Sequence, residues 1–306
     1  MSSYWQADVL EEVVHLLKDG ELYLFAGAGL SCLAGYPSWT GLLSKFADAY
    51  RSLPRQKAEI GRELDVLVKR NNIDIVSHPR SLGDPGAEAL VKVLQEVFFD
   101  HRTSEAHKVL VRLPFAGYVT TNYDRCFEMA CRGVSVAAEL IEKRWYCFPQ
   151  HRCAIHKNLN EIYDGKRFLL HMHGCLYCNG RIDSENIILR RDQYQEFYKQ
   201  DQLKKIYEEL FYRSFLILGT SFNDPMFLNR LYEARGHHSP DLRVERKMCY
   251  LLLPSNERRE HEASDMSVYG VRFNYFDRND PSALENMLRE LEDKYDLNVL
   301  RIATLP

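Results

Sequence analysis

Short apolar runs recur along this chain, each opening into a small or polar loop and then a segment of helical spacing, and that alternation restricts it to an α/β fold. Leu22-Tyr23-Leu24-Phe25-Ala26 opens into Gly27-Ala28-Gly29-Leu30-Ser31, and the β-branched run Gly117 to Thr121 into Asn122-Tyr123-Asp124. Phe168-Leu169-Leu170 leads to His171-Met172-His173-Gly174, and Ser214-Phe215-Leu216-Ile217-Leu218 to Gly219-Thr220-Ser221-Phe222-Asn223-Asp224-Pro225. Runs this short and this continuously apolar fit strands buried on both faces of a parallel sheet. Helical spacing covers 5 to 19, where Val9, Leu10, Val13, Val14, Leu16 and Leu17 precede the stop Asp19-Gly20. It returns after the N-cap Ser38 (Leu42, Leu43, Phe46, Ala49), around His107, Leu110 and Leu113 before Pro114, and over 192–213, 257–268 and 282–294. Asn186–Leu189, Met248–Leu253 and Val271–Phe276 read as further strands, with a loop over Ala234–Lys247.

The expected architecture is a single domain over 1–306 built on a doubly wound, mostly parallel Rossmann-like sheet. Its core takes in about 5–48, 105–132 and 167–300. A smaller, mostly helical inserted sub-domain takes the charged segment of about 49–104 and the irregular, aromatic- and cysteine-rich segment of about 133–166.

Bulk properties exclude several functions. No stretch reaches the roughly 18 apolar residues of a spanning helix, and Met-Ser-Ser-Tyr-Trp-Gln lacks the order of a signal peptide. A cytoplasmic protein without a membrane partner is expected. With 40 Lys+Arg against 43 Asp+Glu, no direct nucleic-acid partner is called for. Eight cysteines in such a chain read mainly as reduced core residues. Cys175-x-x-Cys178 can be combined with Cys147, Cys153, His151 or His156 around zinc, but a second C-x-x-C is missing, so no metal is expected.

The polar residues gather where ligands of open α/β sheets sit, beyond the carboxyl ends of the strands. His171 and His173 are two apart, so strand alternation places both on one face, as proton carriers or as a satisfied structural pair. Gly27-Ala28-Gly29 suits close approach of a phosphate, although Cys32 stands where a dinucleotide signature has its third glycine. An ordinary tight turn explains the same loop. Asn122 and Asp124 are placed to orient a sugar hydroxyl, a carboxamide or a water, or to cap the next helix.

Taken in order, Gly-Ala-Gly-Leu-Ser, Thr-Thr-Asn-Tyr-Asp, His-Met-His-Gly and Gly-Thr-Ser-Phe-Asn-Asp resemble the sirtuin-like NAD-binding family, over roughly residues 10 to 290. Within it the resemblance is to the zinc-less bacterial antiphage NAD hydrolases. It implies that Gly27, Ala28, Gly29 and Ser31 hold the pyrophosphate and adjoining ribose. Gly219, Thr220 and Ser221 would hold the adenosine side, with Asn223 and Asp224 nearby and Thr121 beside the site. Asn122 would position the attacking water and the nicotinamide ribose, Asp124 would face the carboxamide pocket, and His173 would be the catalytic histidine, supported by His171. Gly35-Tyr36-Pro37-Ser38-Trp39 replaces the Gly-Ile-Pro-Asp-Phe-Arg stretch of protein-deacylating sirtuins.

The resemblance therefore implies an NAD+ glycohydrolase, with NAD as substrate, water as acceptor and nicotinamide and ADP-ribose as products, depleting NAD in abortive antiphage defence. Such an enzyme needs restraint, so a regulatory partner (an ATPase or other defence-system subunit), a ligand or a homo-oligomer is expected. A sirtuin-type deacylase or ADP-ribosyltransferase, which predicts bound zinc or dependence on an acyl peptide, and a non-catalytic NAD or ADP-ribose sensor remain the alternatives.

Overall fold

The N-terminal helix α1 (Ala7–Lys18) turns its apolar stripe, Val9, Leu10, Val13, Val14 and Leu17, into the core and stops where Gly20 takes φ 67°. The chain then enters β1 (Leu22–Ala26), whose five residues are all buried. In this computed structural model the described residues are 4–53, 61–63, 65–66, 87–132, 168–176, 210, 212–220, 248–255, 270–277 and 279–303. The short helix α2 (Ala28–Cys32) and then α3 (Trp39–Arg51) follow β1, and the Ser38 hydroxyl caps α3 by accepting from the Gly41 N–H at 3.1 Å. Next come α4 (Ala87–Phe98), α5 (Glu105–Arg112), β2 (Tyr118–Thr120), α6 (Cys126–Arg132), β3 (Leu169–His171), β4 (Ser214–Leu218), β5 (Cys249–Pro254), β6 (Val271–Phe276) and α7 (Ala283–Ala303).

Among the described residues the strands form one sheet in the order β3-β2-β1-β4-β5-β6, every neighbouring pair parallel. This is the doubly wound Rossmann order, and its direction of winding reverses between β1 and β4. The register fixes the site: Ala26 lies level with Thr120 on one side and Leu218 on the other, and Thr120 is level with His171. Four strand ends therefore meet along one edge.

Alternate residues of β1 serve different cores. Leu22, Leu24 and Ala26 join α1, α5, α6 and α7 in one cluster. Tyr23 and Phe25 point the other way and meet the Phe215 ring, at centroid distances of 5.6 and 6.5 Å. Each fully buried Leu or Phe contributes roughly 1.5–3 kcal/mol of transfer free energy. A second core holds Leu42, Leu43, Phe46 and Tyr50 of α3 against Leu90, Val93, Leu94 and Phe98 of α4, and it reaches the sheet edge through Tyr123, Cys126 and Leu176.

The N-terminal segment is pinned to the opposite edge. The indole N–H of Trp5 donates to Met287 O at 2.8 Å, and the Gln6 N–H donates to Asn274 Oδ1 at 2.9 Å. The long helix α7 runs on well beyond the expected stop at 294, because neither glycine nor proline interrupts Lys294 to Ala303. The strand expected over Asn186–Leu189, the helix over 257–268, most of that over 192–213, the 234–247 loop and the 133–166 segment lie outside the described residues. So do Cys147, His151, Cys153, His156, Cys178, Ser221, Asn223 and Asp224.

Candidate active site

The loops leaving β1 and β4 touch backbone to backbone. The Gly27 N–H donates to Leu218 O at 2.9 Å and the Gly29 N–H to Gly219 O at 2.7 Å. Gly219 sits at φ 70°, and a Cβ there would lie 2.4 Å from the Leu30 nitrogen; one on Gly27 would lie 2.6 Å from Gly219 O. These glycines thus bring two loops, about 190 residues apart in sequence, into direct contact at the switch point. Gly27 and Gly29 accordingly have their N–H groups engaged with the β4 loop.

Beside that contact lies a buried polar cluster drawn from β1, β2 and their loops. Thr120, at the end of β2, donates its hydroxyl to Ala26 O at 2.8 Å and accepts the Asn122 N–H at 3.1 Å. That bond bends the chain so that the Asn122 side chain turns back over β1. Its Nδ2 donates to Gly27 O at 3.0 Å and to Ser31 Oγ at 2.8 Å, and the Ser31 hydroxyl in turn donates to Asp124 Oδ2 at 2.6 Å. The other oxygen of Asp124 accepts the Cys126 N–H at 2.9 Å at the start of α6, so one carboxylate serves as both helix cap and member of the cluster. Thr121 follows the strand, its N–H 3.4 Å from Ala26 O.

Asn122 is 8 % exposed, Asp124 5 % and Ser31 3 %. The Asn122 Oδ1 acceptor has no hydrogen-bond partner among the described residues, and neither has Thr220 Oγ1 across the β1–β4 crevice. Buried polar atoms in this state call for a partner, such as a water, an ion or a ligand group.

The two histidines differ. Strand β3 ends at His171, and Met172 and His173 form the turn before Gly174, at φ 84°. The ladder ends where Thr120 O accepts the Met172 N–H, so His173 lies beyond the strand over which alternation was expected to set its face. His171 places Nδ1 2.9 Å from Asn122 O and Nε2 3.3 Å from Glu128 Oε1. His173 is buried as well, and desolvation pushes its imidazole down to about 3, leaving it neutral near pH 7.

Sequence reasoning had not singled out Thr120 or Glu128. Glu128 lies four residues after Asp124 with α6 beginning between them, and that spacing is the signal that could have found it.

A family model described as the SIR2-like domain matches residues 116–273, slightly more than half of the chain and the part that carries Asn122, Asp124, His171 and His173. The chain belongs to the SIR2-like family. Among its SIR2-like relatives, the NAD(+) hydrolase ThsA of Bacillus cereus (strain MSX-D12) is 30% identical over 252 residues, covering 81% of this chain and 46% of the relative. The NAD(+) hydrolase ThsA of Cytobacillus dafuensis is 27% identical over 285 residues, covering 86% and 51%. Defense-associated sirtuin 2 of Bacillus subtilis is 23% identical over 195 residues, covering 62% of this chain and 16% of the relative. The chain spans about half the length of the ThsA relatives it matches.

Proposed function

We propose that this chain cleaves NAD+ at the nicotinamide–ribose bond, with water as acceptor, releasing nicotinamide and ADP-ribose. The observation that carries the reading is the buried Asn122–Ser31–Asp124 cluster at the switch point, with the Asn122 amide oxygen unpaired among the described residues. Relatives named NAD(+) hydrolase support it.

Departure of nicotinamide develops positive charge on the ribose, so the site must supply oriented dipoles and a proton acceptor. In this reading Asn122 Oδ1 orients the attacking water against the ribose, with its Nδ2 anchored on Gly27 O and Ser31. Asp124 keeps Ser31 directed and faces the carboxamide end. His173 takes the proton from a ribose hydroxyl or from water. Gly27, Ala28, Gly29, Ser31 and Thr121 border the pyrophosphate and ribose, while Gly219 and Thr220, with Ser221 and Asn223, take the adenosine side.

The proposal extends to biology. A protein of this kind serves defence against phage by depleting NAD in the cytoplasm, and it is held silent until a partner protein, a ligand or self-assembly releases it. The relative named a defense-associated sirtuin supports the first part. Incubation of NAD+ with the protein, with and without candidate activators, and separation of the products tests the chemistry. Equal yields of nicotinamide and ADP-ribose are expected. Nicotinamide release that depends on an added acyl-lysine peptide would indicate a deacylase instead.

A further inference from the structure

Behind the polar cluster, where α6 passes the end of β3, three metal-ligating side chains converge. Glu128, His171 and Cys175 each offer one ligand atom, and the three atoms lie within 4.8 Å of one another. His171 and Cys175 are 2 % exposed, and Glu128 is half-buried. We propose that Glu128, His171 and Cys175 form a binding site for a divalent metal of the zinc class, which fastens α6 to the turn carrying the candidate catalytic histidine.

The tautomer of His171 argues for a cation. Its Nδ1 lies 2.9 Å from Asn122 O, and a carbonyl only accepts, so Nδ1 carries the hydrogen. Nε2 lies 3.3 Å from Glu128 Oε1, and with Nδ1 so engaged an unprotonated Nε2 would set its lone pair against the carboxylate. Two acceptors in that arrangement need a positive centre between them. A proton would join the pair and leave the Glu128 Oε2, which lacks a partner among the described residues, unengaged. A divalent ion engages all three side chains. With the carboxylate and a thiolate it also makes the buried group electrically neutral, the usual condition for burying charge.

The dimensions agree. Zinc bonds of about 2.3 Å to sulfur and about 2.0–2.2 Å to nitrogen and oxygen put tetrahedral ligand atoms roughly 3.3–3.7 Å apart. The His171–Glu128 separation already has that value, and closing the cysteine onto the ion requires a movement on the order of 1 Å. A ring nitrogen given to a backbone carbonyl while the other binds metal is the common outer-shell arrangement of metal-bound histidine. Arg125 Nε, 3.8 Å from Glu128 Oε1, stands at the rim. On binding, the Cys175 thiol releases its proton to solvent as the metal–sulfur bond forms, without any change of oxidation state.

The site is independent of the NAD reading, and its test reads metal directly. Wild-type protein, stripped with a chelator and titrated with Co²⁺, should develop a thiolate-to-cobalt absorption that saturates at one equivalent and is displaced by Zn²⁺. Cys175→Ser should abolish the band, and His171→Gln and Glu128→Gln should each weaken Co²⁺ binding at least 10-fold. Circular dichroism melts identify any variant that fails to fold, and in that event the melting temperature of the wild type, stripped and zinc-loaded, decides. Zinc should raise it. Absence of the band from wild type, its persistence in folded Cys175→Ser, or an unchanged wild-type melting temperature would overturn the assignment.

Discussion

The hydroxyl of Ser31, on α2, bridges the side chains of Asn122 and Asp124, accepting from the Asn122 Nδ2 at 2.8 Å and donating to Asp124 Oδ2 at 2.6 Å. A residue following β1 thereby fixes two residues following β2. Ser31→Ala removes both bonds at once. Hydrogen bonds to charged groups are worth about 1.5–3 kcal/mol, so a stability loss of that order is expected in thermal melts. Displacement of the amide by even about 1 Å should lower NAD+ turnover up to ~100-fold. Initial rates of nicotinamide release measure it, and full activity in the folded variant would remove Ser31 from the site.

The contact between the β1 and β4 loops predicts a sharp contrast between two glycines of similar φ. Gly20 and Gly219 both lie at positive φ, but a Cβ at Gly20 meets nothing within 4 Å, whereas one at Gly219 would lie 2.4 Å from the Leu30 nitrogen. Gly20→Ala should cost about 1–2 kcal/mol, the ordinary penalty of the left-handed region. Gly219→Ala should cost clearly more, because backbone must move. Denaturant midpoints of the two variants, side by side, decide the matter.

His107 of α5 is fully buried, with Nδ1 2.7 Å from Ser104 Oγ, and burial pushes its imidazole down to about 4. The unfolded chain, at 6.5, then binds more protons than the folded one between these values. Stability should therefore fall as pH drops from 6.5, and this contribution should be complete below about 4, amounting to roughly 3 kcal/mol. In His107→Phe the acid-side slope of unfolding free energy against pH should flatten. An unchanged slope would show that His107 is not the group responsible.

The strands were legible because continuous apolar runs such as Leu22–Ala26 and Ser214–Leu218 have few alternatives to a doubly covered parallel sheet. Asn122, Asp124 and Gly219 were legible as positions at strand ends, since that is where α/β sheets keep polar loops. What the sequence concealed was pairing at long range. It did not show that Gly27 and Gly29 spend their N–H groups on the β4 loop, or that His171 meets Glu128. Periodicity assigns a face to a residue but does not name its neighbour. His107 shows the same limit, because it reads as one more member of the stripe with Leu110, and only packing on Phe127, at a ring separation of 5.1 Å, makes it a buried base.

The measurement that bears most directly on the account is nicotinamide release from NAD+ by the wild type, Asn122→Ala and His173→Ala, each confirmed folded and assayed with and without candidate activators. The account predicts release by the wild type under at least one condition and its loss by at least ~100-fold in both variants, as expected when a positioned amide or proton acceptor is removed. Undiminished release by folded His173→Ala, or NAD+ binding without cleavage by the wild type under every condition, would contradict it.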